Sequence, residues 1–419
     1  MNSKRNYPLL LVSQFLGAFG DNAILVVILG PLMAKYHAGL ISAHEQSIAN
    51  IYFTSLLFIP FVLLAPMAGF LNDRYPKYRW LLGGNLIKLA GSAMAALSLA
   101  HGSAWQTIGY LVVGVGACAY SPAKYGILPE IVPAERLVKA NGTVELLTLV
   151  AILAGNIAGA AMVDRFPLPV CYGLVIANYA ASLFLNLFMT PTPAYPEVKL
   201  RGSAREFFVN LRAIFSHPRL SRILMGTVLF WVCGALLKMN FQPFGQQVLK
   251  YESVLQVALL GLWLSIGVMI GSVAAGYFYK VGDLRATRRY GWLLAGSVGV
   301  LGGVDWLLHH GLSHPSALAI TVLIVAGVMA GLFLIPLNAA LQAESHKDKL
   351  GKTIATQNGV ENLAMLGGSV FALVNVQIGF DPSQLFLCLA ALLAVIVCAL
   401  KIPARQPEAA VASAAAAAS

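Results

Sequence analysis

The chain has 419 residues, of which 58% are hydrophobic and only 11% charged. Soluble domains carry about 25% charged residues, so this composition excludes a string of soluble domains, and apolar runs of about 20 residues from end to end indicate a polytopic helical membrane protein. The net charge of +11 is not a nucleic-acid signal, because the basic residues occupy short loops on alternate sides of the apolar runs, as a cytoplasmic face requires.

The first run, 8–34, contains Phe15-Leu16-Gly17-Ala18-Phe19-Gly20-Asp21-Asn22-Ala23. Lys4 and Arg5 precede it, but its length, Asp21 and the lack of a small-residue cleavage site make it a spanning helix rather than a signal peptide. An Asp at the centre of such a helix costs about 2.5–3.5 kcal/mol or more, and is kept where it faces a watered cavity or a cationic partner. Gln14 and Gly17 share its helical face. Asp21 and Gln14 are therefore candidates for lining a substrate path; the plain alternative is a fixed polar contact between helices.

The second span, 48–71, runs into Gly69-Phe70-Leu71-Asn72-Asp73-Arg74-Tyr75-Pro76-Lys77-Tyr78-Arg79. This resembles the loop signature of the major facilitator superfamily, with Pro76 where a second Gly is usual. Asp73 can meet a helix N-terminus and the arginines can pair across the half, so Asp73 and Arg74 are candidates for a conformational gate. Span three, 80–100, carries Lys88, read as snorkelling to the surface. Span four, 106–128, ends with Lys124 on a face with Ser121 and Ala117; span five, 138–162, opens with Glu145; span six is 168–190.

A polar, then basic stretch follows, and span seven, 219–249, contains Lys238 on a face with Gly234, Trp231 and Gln242. Spans eight to twelve are 254–279, 289–309, 317–341, 352–378 and 383–402. Gly276-Tyr277-Phe278 leading to Asp283 and Arg285 looks like a degenerate second copy of the gate motif, and Asn338 closes span ten. Gln357 and Glu361 lie one turn apart in span eleven. Glu145 and Glu361 read equally as substrate ligands or as gate and interhelix partners. Gly155 and Gly159, and Gly267 and Gly271, suit close helix packing. The five cysteines have neither metal-ligand nor disulfide spacing and read as buried small hydrophobes.

The halves repeat. Asn141-Gly142-Thr143-Val144-Glu145 matches Asn358-Gly359-Val360-Glu361, and the Ser121-Pro122-Ala123-Lys124 end of span four matches Ile335-Pro336-Leu337-Asn338. Two duplicated six-helix halves are the layout of the major facilitator fold, an all-α architecture with the site between halves near the bilayer midplane. We expect an N-terminal half over 1–190, a cytoplasmic central loop over 191–217, a C-terminal half over 218–405 and a disordered Ala-rich tail over 406–419. Arg74, Lys77, Arg79, Arg136, Lys139, Arg205 and Arg212 fall on one side of the spans, with Lys35, Arg165 and Lys250 on the other, so both termini are expected in the cytoplasm.

No triad, phosphate-binding loop or metal cluster is evident, so no enzyme activity, cofactor or metal is expected. Asp21 and Lys238 would offer opposite charges from pseudo-symmetric spans one and seven: the carboxylate suits an ammonium, Lys238 or Lys124 a phosphate.

Phe19-Gly20-Asp21-Asn22-Ala23, Ala119-Tyr120-Ser121-Pro122-Ala123-Lys124-Tyr125-Gly126-Ile127-Leu128, Leu137-Val138-Lys139-Ala140-Asn141-Gly142 and Pro336-Leu337-Asn338-Ala339 together resemble the bacterial lysophospholipid transporters of the major facilitator superfamily. The resemblance implies a flippase that carries lysophosphatidylethanolamine and lysophosphatidylglycerol from the outer to the inner leaflet of the bacterial inner membrane. There an acyltransferase restores the missing chain. It implies a role for Asp21, and a span-seven Arg where this chain has Lys238, which keeps the charge but lacks the planar fork. The family's acidic residue after span eight corresponds to Asp283. The rival expectation is a proton-coupled exporter of small amphipathic molecules or drugs, in which Asp21 and Glu145 would titrate; span five lacks the Gly-Pro signature of that branch.

Overall fold

The computed structural model describes residues 5–133, 137–192, 200–279, 282–344 and 350–403; the side chains of some residues within these stretches, Asp73 and Glu145 among them, lie outside the description. The described residues are helical, with no strand among them. The N-terminal half comprises α1 (Asn6–His37), α2 (Ala43–Leu56), α3 (Phe58–Arg74), α4 (Lys77–Ala96), α5 (Ser98–His101), α6 (Ala104–Gly126), α7 (Leu128–Ile131), α8 (Leu137–Arg165) and α9 (Leu168–Leu187). After α10 (Leu200–Ser216), the C-terminal half comprises α11 (Pro218–Gln247), α12 (Val254–Phe278), α13 (Thr287–His309), α14 (Pro315–Glu344), α15 (Leu350–Gln377) and α16 (Pro382–Ala399).

Among the described residues, eleven helical stretches are long and apolar enough to cross a membrane. The 23-residue α6, richer in Gly, Tyr and other polar residues, has the length of a twelfth. Three local features refine the sequence reading. The second span is interrupted at Leu57, because Pro60 has no N–H for the Leu56 carbonyl. The third is interrupted at Leu97. The stretch between the halves, read as a loop, contains the amphipathic helix α10, which packs against α3, α11 and α15. The gate motif is correspondingly helical through Arg74, and only Tyr75 and Pro76 separate α3 from α4.

Small residues set the closest helix approaches. A Cβ on Gly155 would lie 2.3 Å from the Phe19 carbonyl oxygen, and one on Gly271 would lie 2.1 Å from that of Val328. These distances fix the α1–α8 and α12–α14 seams and match the close packing expected of those glycines. Of the cysteines, Cys118, Cys171 and Cys233 are buried as expected, whereas Cys388 is half-buried and Cys398 exposed, near the end of α16.

The apolar core differs between the halves. In the C-terminal half one continuous cluster includes Phe244, Phe333, Phe386 and Leu301, and it takes in Met33 and Ile51 from the other half. In the N-terminal half the core is split. Ile24, Ile28, Tyr110 and Tyr172 pack in one cluster, while Leu10, Leu81, Tyr120 and Ile127 pack in another, toward the end of the bundle that carries the termini. Polar side chains fill the layer between them.

Candidate functional site

Asp21 stands halfway along α1, in that layer. Its Oδ2 accepts a hydrogen bond from Lys88 Nζ on α4 at 2.7 Å, and its Oδ1 accepts one from the Tyr179 hydroxyl on α9 at 2.9 Å. The Lys88 side chain is 3% exposed and Asp21 16%. Lys88 Nζ also lies 5.2 Å from the centre of the Tyr120 ring. Lys88 therefore does not snorkel: burial of its stem against α6 brings its ammonium to the carboxylate, and removing either member of such a pair costs about 3–5 kcal/mol.

Beneath the pair the network continues. Asn85 Nδ2 donates to Ser182 Oγ at 2.7 Å and to Asn186 Oδ1 at 2.6 Å, and Asn186 Nδ2 donates to Ser13 Oγ at 3.0 Å. Ser182 Oγ donates to the Ser13 carbonyl at 2.7 Å. The polar face of α1 is thus answered by polar stripes on α4 and α9, which satisfy groups that would be expensive to bury alone.

Gln14 turns to α8. Its Nε2 donates to the Val144 carbonyl at 3.5 Å, and its Oε1 accepts from Thr148 Oγ1 at 3.0 Å. Lys124 Nζ donates to the same Thr148 oxygen at 3.1 Å. Thr148 thereby joins two of the candidates, Gln14 and Lys124. In the C-terminal half Gln357 does the same, donating to Asn338 Oδ1 at 3.0 Å and to Glu361 Oε1 at 2.8 Å. Glu361 is buried, and Thr227 on α11 also bonds to it. The two sets sit on matching helices: Gln14, Lys124 and Thr148 on spans one, four and five in one half, and the four residues Thr227, Asn338, Gln357 and Glu361 on spans seven, ten and eleven in the other.

Lys238 is exposed although it lies two-thirds of the way along α11. Its Nζ donates to Asn22 Oδ1 at 3.2 Å, an oxygen that also accepts from Asn156 Nδ2 at 3.3 Å. The opposite charges of Asp21 and Lys238 are thus not joined: the carboxylate has its own cation within the half, and Lys238 reaches across to the next residue of α1.

Further cross-half bonds lie toward the end of the bundle opposite the termini. Gln242 Nε2 donates to the Leu29 carbonyl at 3.2 Å, Gln246 bonds to Gln46, and Gln246 Nε2 lies 3.4 Å from His37 Nε2. Asp164, at the end of α8, caps α12: its carboxylate accepts from Ser253 Oγ at 2.6 Å, Val254 N at 3.0 Å and Leu255 N at 2.9 Å. These ties close the seam at that end.

Of the gate candidates, Asp73 lies outside the described side chains, as does Glu145. Arg74 stacks on Tyr75 at 5.9 Å. Asp283 is 39% exposed and faces Arg285 of its own loop at 4.0 Å. Lys77, from the same motif, is ion-paired with Glu130 of α7 at 2.5 Å. In the other half Arg219 at the start of α11 grips Glu344 at 2.8 Å. Tyr179, Asn22 and Thr148 are the site residues that sequence reasoning passed over, and Lys88 is the one it assigned to the surface.

The sequence profile of the Major Facilitator Superfamily matches residues 10–369. A relative from Enterobacter sp. (strain 638), named lysophospholipid transporter LplT, is 34% identical over 358 residues, 84% of each chain. One of the same name from Photorhabdus laumondii subsp. laumondii is 34% identical over 367 residues, 86% of each. Among solved structures, a POT family transporter in complex with 5-aminolevulinic acid superposes with a TM-score of 0.73 at 13% identity, covering 94% of this chain and 95% of the other. A bacterial homolog of the human lysosomal transporter Spinster, in an inward-facing and unoccupied conformation, gives 0.68 at 14%, covering 96% and 97%. At these identities the two structures speak for the fold alone.

Proposed function

The chain belongs to the lysophospholipid transporters of the major facilitator superfamily, and from that premise we propose that it carries lysophosphatidylethanolamine and lysophosphatidylglycerol from the outer to the inner leaflet of a bacterial inner membrane. The observation that carries the reading is Lys238, exposed at depth between the halves and bonded to the residue beside Asp21. A lysophospholipid has a charged head and one long tail. The head needs a charged path through the bilayer; the tail can stay among apolar side chains or in lipid. Lys238 supplies a cation for the phosphate, and Asp21 a carboxylate for an ammonium. Gln14, Lys124, Asn338 and Glu361 brace the helices that part to let the head through, with Glu145 assigned to the same ring from its sequence position. Asp73, Arg74 and Asp283 serve as gate residues at the basic end of the bundle.

The basic loops favour a cytoplasmic position for that end and for both termini. The opposite seam, tied by Asp164 and Gln46, is then the outer one. An acyltransferase at the cytoplasmic face is the partner that would consume the delivered lipid. The relatives favour lipid cargo over the proton-coupled exporter.

The test is uptake of labelled lysophosphatidylethanolamine and lysophosphatidylglycerol into spheroplasts expressing the chain, with and without a proton gradient. Uptake above vector controls is expected; none for either lipid overturns the reading. Reporter fusions at Arg205 and Ser313 should report opposite compartments, and the same compartment for both would overturn the orientation.

A further inference from the structure

The ion pair at Asp21 sits beside an unused hydrogen-bond acceptor. Asn85 is fully buried, and its Oδ1 has no partner, although its Nδ2 makes two bonds. Asn85 and Lys88 are three residues apart on α4, so they share a face. Both point at the bare surface of α1 over Gly17: a Cβ there would lie 3.5 Å from Asn85 Oδ1, 3.5 Å from Lys88 Nζ and 3.9 Å from Ser182 Oγ. The glycine leaves a small polar space that any larger residue would fill. Lys88 Nζ thus has two acceptors within a short swing, one engaged and one vacant.

A substrate ammonium and the Lys88 ammonium are the same chemical group. Each has three N–H donors and one positive charge. Both cannot hold Asp21 at full strength, because like charges at one carboxylate repel. In the empty site Lys88 has the carboxylate, shared with Tyr179.

We propose that Lys88 is a specificity-determining residue: it stands in for the substrate's ammonium at Asp21 and swings to Asn85 Oδ1 when a primary-ammonium head group arrives. The inference rests on the lysophospholipid reading and names the head-group class that this layer distinguishes. An ethanolamine head displaces Lys88 and takes its place. A glycerol head has no ammonium and leaves Lys88 on Asp21, which keeps the carboxylate neutralised and spares the phosphate its repulsion. One residue therefore acts in opposite senses on the two substrates, as a competitor for one and a shield for the other.

The experiment measures initial uptake of both lipids, as KM and maximal rate, at matched membrane expression. Lys88→Gln removes the competitor and the shield together. The ratio of lysophosphatidylethanolamine to lysophosphatidylglycerol uptake efficiency should rise by about tenfold or more, through a lower or unchanged KM for the first and a raised KM for the second. Asn85→Ala removes the vacant acceptor and should move the ratio the other way, by about threefold. Lys88→Arg should restore the parent ratio. A merely structural role would lower both lipids together in every variant, and that result, or ratios within twofold of the parent in both Lys88→Gln and Asn85→Ala, overturns the inference. If Lys88→Gln fails to reach the membrane, Asn85→Ala decides alone. A parent chain that takes up neither lipid overturns the functional reading, and this inference with it; parent uptake with unmoved ratios overturns this inference only.

Discussion

The two halves share a fold and spend their polar residues differently. In the N-terminal half a charged layer built from α1, α4 and α9 cuts the apolar core in two. In the C-terminal half the core is continuous, the buried carboxylate of Glu361 is held by amide and hydroxyl donors, and the cation at depth among the described residues, Lys238, is turned outward to the other half. The difference teaches that duplication preserved the frame, not the charge. Lys124 and Asn338 occupy matching places, as do Glu145 and Glu361, yet among the described residues only the N-terminal half holds an ion pair within its membrane layer. That half is the one suited to hold a carboxylate ready, and the other the one suited to present a cation.

The sharpest way to break this contrast is to neutralise one buried carboxylate in each half. Asp21→Asn leaves Lys88 buried without its counter-charge, at a cost of about 3–5 kcal/mol. Glu361→Gln orphans no cation among the described residues, and its amide oxygen can still accept from Gln357. Thermal unfolding in detergent should show a large drop for Asp21→Asn, a partial recovery in Asp21→Asn with Lys88→Gln, and a small change for Glu361→Gln. Lysophosphatidylethanolamine uptake should fall at least about tenfold in Asp21→Asn, the loss expected for one charged hydrogen bond. Equal destabilisation by Asp21→Asn and Glu361→Gln would show that the halves do not differ in this respect.

Next in size is Lys238. Lys238→Ala should raise the KM for both lipids about tenfold, since both carry phosphate, while Lys238→Arg should be tolerated because it keeps the charge. Loss confined to one lipid would show that Lys238 does not read the phosphate.

Much of this was legible in the sequence. Apolar runs and loop charges gave the span order, the Asn-Gly repeat gave the two halves, and Asp21 stood out because a carboxylate in an apolar run needs a reason. What stayed hidden was partnership. Lys88 is near enough to a span end to snorkel, and helical periodicity shows which residues share a face but not which helix that face meets. The signal was present in retrospect: Asn85, Lys88 and Ser92 on α4, and Asn178, Ser182 and Asn186 on α9, form polar stripes at helical spacing. The break at Leu57 could have been placed by Pro60. The helix α10 was masked by its polar composition, because attention to hydropathy passes over an amphipathic helix whose mean is low.

The helix seams provide a smaller test. In the N-terminal half the α1–α8 seam closes on Gly155, where a Cβ would meet backbone at 2.3 Å. In the C-terminal half the corresponding α11–α15 seam closes on Gly368, where the nearest atoms to a Cβ are side-chain ones, of Val232 at 3.2 Å and Leu236 at 3.7 Å. A side chain can rotate away, whereas a carbonyl moves only with its helix. Gly155→Ala should destabilise by about 1–3 kcal/mol and Gly368→Ala by much less. Reversed unfolding temperatures would contradict the seam geometry.

The smallest expected effect concerns the tie between the halves. Asp164 contributes its carboxylate to the N-terminus of α12, and loss of such a cap costs about 1 kcal/mol. Only the conformation with this seam closed has the bond, so its loss should move the balance toward states open at that end by about fivefold. Cys171 offers a native reporter. It is buried and lines a pocket of about 420 Å³ at the seam together with His37, Asp164, Glu252 and Val254. In a chain whose other four cysteines are replaced by alanine, modification of Cys171 by a water-soluble maleimide should be slow. Asp164→Ala should speed it several-fold, and Asp164→Asn less, because an amide oxygen still accepts from the helix N-terminus but brings no charge to its dipole. The same substitution should leave the Asp21–Lys88 layer intact, so the ratio of the two lipids should not move even where the rate does. A faster maleimide reaction with an unchanged head-group ratio would separate the two tasks, with closure set between the halves and selectivity set inside one of them. Unchanged Cys171 reactivity in Asp164→Ala would mean that the Gln46, Gln242 and Gln246 contacts hold the seam without the cap.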